Sequence, residues 1–313
     1  MAQGAYEDTV ETGLVDAEEL RKIKRERKSK RQAKEAAELA VLRAGASRKL
    51  ARAITLAGEK GASTVFSTRP LEKFGFALKS KRDFRDFLRM HYLMRVEGLP
   101  ERCACGKPNS LGHSQECSKG GFLIARHREL QLETASLSRR AGFKDVGLEP
   151  QLQPLSGEKL KGKSANRDPG ARADLMVRGF FQKYRCTFFD MKVAYPAAAS
   201  YFDKEPAQLY KLLEDSKKRE YRQRIAKVED GDFVPMVMLS TGSMGMAVKR
   251  LCRMIAEKEK RDYAEIAAIA RASFSFALAR AALVCLRGTR ARYVQSSDPL
   301  SNVDSAVEEL ELR

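Results

Sequence analysis

Two stretches, Gly170-Ala-Arg-Ala-Asp-Leu175 and Cys186-Thr-Phe-Phe-Asp-Met-Lys-Val-Ala194, decide how this chain is read. Both are short and β-prone, and they read as strands over 173–178 and 186–195. Side chains alternate across a strand, so Asp190 and Lys192 share one face, while Phe189, Met191 and Val193 share the other and anchor it. If the two strands form a hairpin, Asp174 comes beside Asp190. Two adjacent carboxylates repel unless a divalent cation sits between them. A lysine at the edge of such a site suits phosphodiester hydrolysis: the metal polarises the phosphoryl oxygen and acidifies a water, and the lysine orients that water or offsets charge on the phosphorane. By itself the pattern is weak, because 32% of the residues are charged and a surface cross-strand ion pair explains it equally well.

Working outward, a strand over 145–151 and a helix over 121–140 precede this pair. The polar loop 154–170, rich in Gly, Lys, Ser and Asn, is long for a compact domain and therefore mobile or functional. A basic helix over 205–228 follows, then an apolar strand over 233–240, a turn at Gly242, Ser243 and Gly245, and helices over 246–260 and 262–286. The order is helix, three strands, helix, strand, helices, an α/β arrangement. Upstream, 80–98 reads as a helix capped by Ser80 with Asp83 three residues on, and most of Phe84, Phe87, Leu88 and Tyr92, at helical spacing, should be core. Residues 17–60 lack proline and are rich in helix formers, giving one or two helices. Within them Arg21 to Lys34 holds nine Lys or Arg, including Lys30 and Arg31, against one acid. Such a run suits a solvated helix face, a nucleic-acid arm or a nuclear localisation signal. The Gly- and Ser-rich step at 58–64 places a boundary near 65. The expected organisation is an acidic leader with a basic helical arm (1–65), a helix with a metal loop (66–120), a sheet domain (121–294) and an acidic, fraying tail (295–313).

Composition bears on partners. The 313 residues carry a formal net charge of +18, so a polyanion is expected, nucleic acid first and an anionic membrane surface behind it. No uninterrupted apolar run reaches the roughly 18 residues that a bilayer span needs, so no membrane-spanning segment is expected. The acidic amino terminus does not resemble a secretory signal, which points to an intracellular protein, and the basic run to a nuclear one.

Six cysteines are too few and scattered for a disulfide scaffold, and three of them, Cys103, Cys105 and Cys117, cluster with His113 in a loop. Three thiolates and an imidazole suit tetrahedral Zn²⁺ in a closed structural site, although the one-residue spacing of the first pair is tighter than usual. Cys186, Cys252 and Cys285 read as small core residues. Glu149, or Glu129 and Glu133 on the preceding helix, could complete the carboxylate site. Arg126 and His127 follow the cysteine loop, where they could touch a phosphate or supply a general acid; a packed or surface role is the plain alternative. The helix over 205–228 carries Lys211, Lys217, Lys218, Arg219, Tyr221, Arg222, Arg224 and Lys227, a basic face for a nucleic-acid backbone with a tyrosine to stack on a base, or a solvated face.

Leu99-Pro-Glu-Arg-Cys-Ala-Cys-Gly-Lys-Pro108, the step from His113 to Cys117, Lys119-Gly-Gly-Phe122, Arg126-His127, Leu148-Glu-Pro150 and the two strands form one ordered set. It closely resembles the zinc-knuckle plus restriction-like endonuclease region that follows the reverse transcriptase in some non-LTR retrotransposons. Similar elements continue at Lys217-Lys-Arg-Glu-Tyr221, Val228-Glu-Asp-Gly-Asp-Phe-Val-Pro235, Ser240-Thr-Gly-Ser-Met-Gly245 and Cys285-Leu-Arg-Gly-Thr-Arg290. The resemblance covers about 80–290 and implies a PD-(D/E)XK core of order αβββαβ with a mixed sheet. It implies that Asp174 and Asp190 hold Mg²⁺ or Mn²⁺, that Lys192 is the catalytic lysine, that the Cys/His loop is the knuckle, and that DNA, with RNA as a further possibility, is the substrate. Two positions depart from the pattern: Ala173 stands where proline is usual, and Arg128 where asparagine follows Arg-His. The first 65 residues are too short and basic for a polymerase, so a stand-alone relative, a truncated element and a domesticated descendant all fit, and a catalytically silent binder is the alternative.

Overall fold

The computed structural model describes residues 16–59, 61–72, 75–155, 164–259 and 263–288. The chain divides into two compact units, Met1–Thr55 and Leu56–Arg313. The division falls before the Gly/Ser step, and residues 66–120 share a unit with the sheet. In the first unit, helix α1 (Ala17–Ala44) places Glu18 and Glu19 in its first turn and Arg43 in its last, each at the end where the helix dipole favours its sign. Helix α2 (Arg48–Ala57) follows, Ser47 Oγ accepting the N–H of Leu50 at 3.3 Å. Lys30 is exposed, and Arg31 pairs with Glu35 at 3.6 Å one turn on. Such open pairs add little stability and leave the run a solvated face.

The second unit starts at Leu56, in the last turn of α2, and continues with α3 (Thr64–Ser67) and α4 (Lys81–His91). Ser80 caps α4 as expected, its Oγ accepting the Asp83 N–H at 3.1 Å. The helix stops at His91 rather than running to 98, because Leu93 turns left-handed (φ 54°), and Arg287 then binds the Glu97 and Gly98 carbonyls at 2.7 and 2.9 Å. Of the aromatics read as core here, Phe87 is buried while Phe84 and Tyr92 reach solvent. Next come α5 (Leu111–Glu116), α6 (Phe122–Arg140), β1 (Val146–Leu148), β2 (Leu175–Arg178), β3 (Cys186–Ala194), α7 (Pro206–Lys227), β4 (Asp232–Leu239), α8 (Met246–Glu259) and α9 (Tyr263–Arg287).

The strands form one mixed sheet in the order β1-β2-β3-β4. The first three are antiparallel neighbours, and β4 is parallel to β3, the geometry that a helical crossover such as α7 permits. The fold is therefore mixed α/β. Alternation sets its two faces. Leu175, Val177, Phe189, Met191, Met236 and Met238 enter the main core beneath α6, α8 and α9, whereas Phe188 and Phe233 pack with Ile225 of α7 on the opposite face. Asp190, between Phe189 and Met191, is thereby turned toward α7.

Helix α9 runs through the core. Phe274, Ala277 and Leu278 enter the main core, and Phe276, Ala279 and Leu283 enter a second cluster with Phe76, Phe87 and Met90. It is long and apolar enough to cross a bilayer, contrary to the expectation from uninterrupted runs, but 78% of its apolar window is buried in the fold. A helix apolar on all sides is the mark of a central core element. Cys252 and Cys285 are core residues as expected, and Cys186 is half-buried. The long loop 154–170 lies in part outside the described residues; its end, Ser164–Asn166, is a 3-10 turn tied to α7 by Asn166 Nδ2 on the Arg219 carbonyl at 2.8 Å.

Candidate functional site: a carboxylate pair and a cysteine–histidine cluster

The β2–β3 register pairs Leu175 with Phe189, so one step further Asp174 stands opposite Asp190. The chain reaches Asp174 through a tight network. Its N–H donates to the Phe189 carbonyl at 3.0 Å, its own carbonyl takes the Glu149 N–H at 3.0 Å, and its Oδ2 takes the Met191 N–H at 2.5 Å. Helix α6 grips the same residue. His127 and Gln131 lie one turn apart on one helix face; His127 Nε2 is 2.9 Å from Asp174 Oδ1, and Gln131 Nε2 donates to the Asp174 carbonyl at 2.5 Å. The hydrogen bond to Asp174 raises the His127 pKa above its ordinary value, against the opposing effect of burial.

Asp190 is 3% exposed. Burial first, and then the charge of Asp174, push its carboxyl up to about 6, with Lys217 and Tyr221 pulling the other way. Lys217 Nζ lies 3.0 Å from Asp190 Oδ2 and 3.1 Å from Glu220 Oε2. Lys217 and Tyr221 thus both bear on the buried Asp190 carboxylate. Two opposed carboxylates, one of them buried, offer the oxygen ligands a hard divalent cation takes, although the Lys217 ammonium already lies on Asp190. Lys192, on the same strand face as Asp190, is exposed.

Several expected roles are corrected. Arg224 is fully buried; it donates to the carbonyls of Ala165 at 2.7 Å, Gln153 at 2.7 Å, Leu152 at 3.4 Å and Asp168, and so clamps the segment leading to Asp174 instead of meeting nucleic acid. Arg126, also buried, donates to the Gln115 carbonyl at 3.0 Å and the Val193 carbonyl at 3.4 Å, a structural tie. Tyr221 stacks on Phe233 with ring centroids 5.3 Å apart and bears on Asp190, so its ring is not free for a base. Lys217 faces the carboxylates rather than solvent. Arg219 and Arg222 are exposed, and Lys218 is half-buried, 3.4 Å from Asp215. Glu129 and Glu133 lie on the side of α6 away from His127: Glu129 pairs with Arg280 at 3.0 Å, and burial raises the Glu133 carboxyl beside Arg140 and Arg280. Glu149 adjoins the pair through its backbone, in a left-handed conformation (φ 48°), but its side chain is held by Arg128 at 3.2 Å. Arg128 thus makes a polar contact at the position where the resemblance expects asparagine.

The roles of Lys217 and Tyr221 were missed because the α7 pattern reads as a basic face. Their i, i+4 spacing on the flank that also carries the buried Leu213 was the available signal.

The second cluster lies in the loop before α6. Ligand atoms of Cys103, Cys105, His113 and Cys117 all lie within 4.8 Å of one another. A turn presents the first pair: the Cys103 N–H donates to the Lys107 carbonyl at 2.9 Å, and the Gly106 N–H to the Cys103 carbonyl at 2.8 Å. Ser110 caps α5 by accepting the His113 N–H at 3.1 Å, and the Cys117 N–H donates to the His113 carbonyl at 2.9 Å. Cys103 and Cys117 sulfurs are 3.7 Å apart, and Cys105 Sγ is 3.2 Å from His113 Nε2. Tetrahedral ligation with metal–sulfur bonds near 2.3 Å sets sulfurs about 3.8 Å apart. This Cys₃His group can therefore hold a metal ion. Burial pushes the Cys117 thiol up, so a thiolate there calls for a cation.

No family model matches the chain, and no curated protein matches it.

Proposed function

We propose that the chain is a metal-dependent nuclease of the PD-(D/E)XK type that cleaves DNA phosphodiester bonds. One observation carries the reading: the buried Asp190 stands opposite Asp174, with Lys192 on the same strand face as Asp190. The order of α6, three strands, α7 and β4, and the resemblance to the restriction-like endonuclease region of non-LTR retrotransposons, support it. Asp174 and Asp190 would hold Mg²⁺ or Mn²⁺, which supplies a polarised phosphoryl oxygen and an acidified water. Lys192 positions the nucleophile from the same strand face. His127 and Gln131 fix the orientation of Asp174, the first through its side chain and the second through its backbone. The Cys₃His group takes structural Zn²⁺, and exposed Arg219 and Arg222 meet the nucleic-acid backbone. The basic run of α1 serves the same backbone or nuclear import.

The test is nicking of supercoiled plasmid by zinc-loaded protein with and without Mg²⁺. Asp190→Ala and Lys192→Ala should abolish Mg²⁺-dependent cutting, and undiminished cutting by Asp190→Ala overturns the assignment. A silent nucleic-acid binder is the second reading, favoured by the ion pair that Lys217 already makes with Asp190. Folded protein that binds plasmid with a steep salt dependence yet never cuts would establish it.

A further inference from the structure

Lys217 presents a geometry that the nuclease reading does not use. Its ammonium, held on the middle of α7, sits between two carboxylates, 3.0 Å from Asp190 on β3 and 3.1 Å from Glu220 one helical turn along. The Lys217 side chain is 19% exposed, Glu220 31% and Asp190 4%, so the two partners differ in depth: one lies inside the site and the other at its rim. The Lys217 Nζ also lies 5.6 Å from the Tyr221 ring centroid, within reach of a cation–π attraction. A lysine is a compact point charge on a flexible stem and can change partner without backbone movement.

We propose that Lys217 is a tethered placeholder cation that competes with the divalent ion for Asp190, and that Glu220 is the carboxylate to which it withdraws when the ion enters. The inference rests on the metal site proposed above. A monovalent cation already on Asp190 offsets the repulsion from Asp174 in the metal-free protein. An incoming divalent ion must remove that contact, because two cations within about 4 Å of one oxygen repel strongly in a partly buried site. Glu220 lowers the cost of the exchange, since the displaced ammonium keeps an ion pair. Divalent-ion affinity is thus set by the two carboxylates together with the difference between Lys217 bridging Asp190 and Glu220 and Lys217 on Glu220 alone.

Mg²⁺ binding to the full-length, zinc-loaded chain, followed by calorimetry at pH 8, tests this without reference to cleavage; thiolates are poor ligands for Mg²⁺, so the Cys₃His group adds no signal. Lys217→Met keeps length and removes charge, and it should bind Mg²⁺ about tenfold more tightly. Glu220→Gln, which removes the withdrawal position, should bind it severalfold more weakly. A gain in affinity is not what structural damage produces. Unchanged or weaker binding by folded Lys217→Met overturns the proposal; if that variant does not fold, wild-type affinity in Glu220→Gln overturns it instead. Asp190→Asn separates the two levels: if it binds Mg²⁺ as tightly as the wild type, the metal site itself is refuted.

Discussion

Replacing Asp190 by asparagine should stabilise the metal-free protein. The carboxyl is buried and moved from 3.8 to about 6, chiefly by loss of hydration and then by Asp174. A tenfold change in proton affinity corresponds to about 1.4 kcal/mol, so carrying the ionised form costs the native state roughly 3 kcal/mol at pH 8. Asparagine keeps the shape without the charge, and Lys217 retains Glu220 as a partner. The expected gain is about 2–3 kcal/mol, or about 5–10 °C in Tm for a domain of this size. The sign with pH follows: a raised carboxyl destabilises the fold fully above about 6, and that cost fades as pH falls toward 3.8. The gap between variant and wild type should therefore shrink to roughly half by pH 5. Urea unfolding in zinc-containing, Mg²⁺-free buffer at both pH values measures it. An Asp190→Asn protein no more stable than wild type at pH 8, or a gap that widens on acidification, would refute the reasoning. A residue whose removal strengthens the fold is one held against stability, as functional carboxylates commonly are.

Three further outcomes are expected. Arg224→Met should destabilise by about 3–5 kcal/mol in urea unfolding, because four carbonyls lose a buried donor, and Arg224→Lys should recover little, since an ammonium cannot fork between them. His91 is buried with Nδ1 2.7 Å from the Thr241 carbonyl, and burial lowers its pKa, so its neutral form stabilises the fold above the ordinary value of 6.5 and that contribution is lost as pH falls. Wild type should accordingly lose stability between pH 6.5 and 5 more steeply than His91→Gln, by up to about 1.4 kcal/mol per pH unit; parallel curves would contradict this. Treating the protein with a chelator or introducing Cys117→Ser should, if the Cys₃His group holds a metal, expose the 103–117 loop to hydrogen exchange and lower Tm by several degrees, and a chelator-insensitive melting curve would count against metal binding there.

Much of this architecture was legible in the sequence because its signals are local. Alternation in 186–194 separates Phe189 and Met191 from Asp190 without any tertiary information, and Ser80 and Asp83 announce the start of α4. The cysteine cluster needed only spacing. What stayed hidden depends on contacts between distant elements. Whether an arginine on α7 is solvated or clamped depends on where Leu152, Gln153, Ala165 and Asp168 lie, and Arg224 and Arg222 are indistinguishable until those carbonyls are placed. Glu133 and His127 are both polar residues of one helix; only the sheet beneath α6 decides that His127 meets Asp174 while Glu133 turns toward α9. The end of α4 was misplaced because Arg287, almost two hundred residues away, binds the carbonyls of the turn that follows it.

The position of α9 has a consequence for biosynthesis. The helix fills the space under the sheet, packs on α4 and α6, and receives Gln115 from the cysteine loop on its Ala282 carbonyl at 3.1 Å. Every one of these partners leaves the ribosome before it does. Until residues 263–287 emerge, the nascent sheet is covered by α6 and α8 alone and the second apolar cluster lacks its central helix, so the core cannot close before α9 is made. A messenger carrying a stop codon ahead of that helix would yield chaperone clients rather than a smaller working domain.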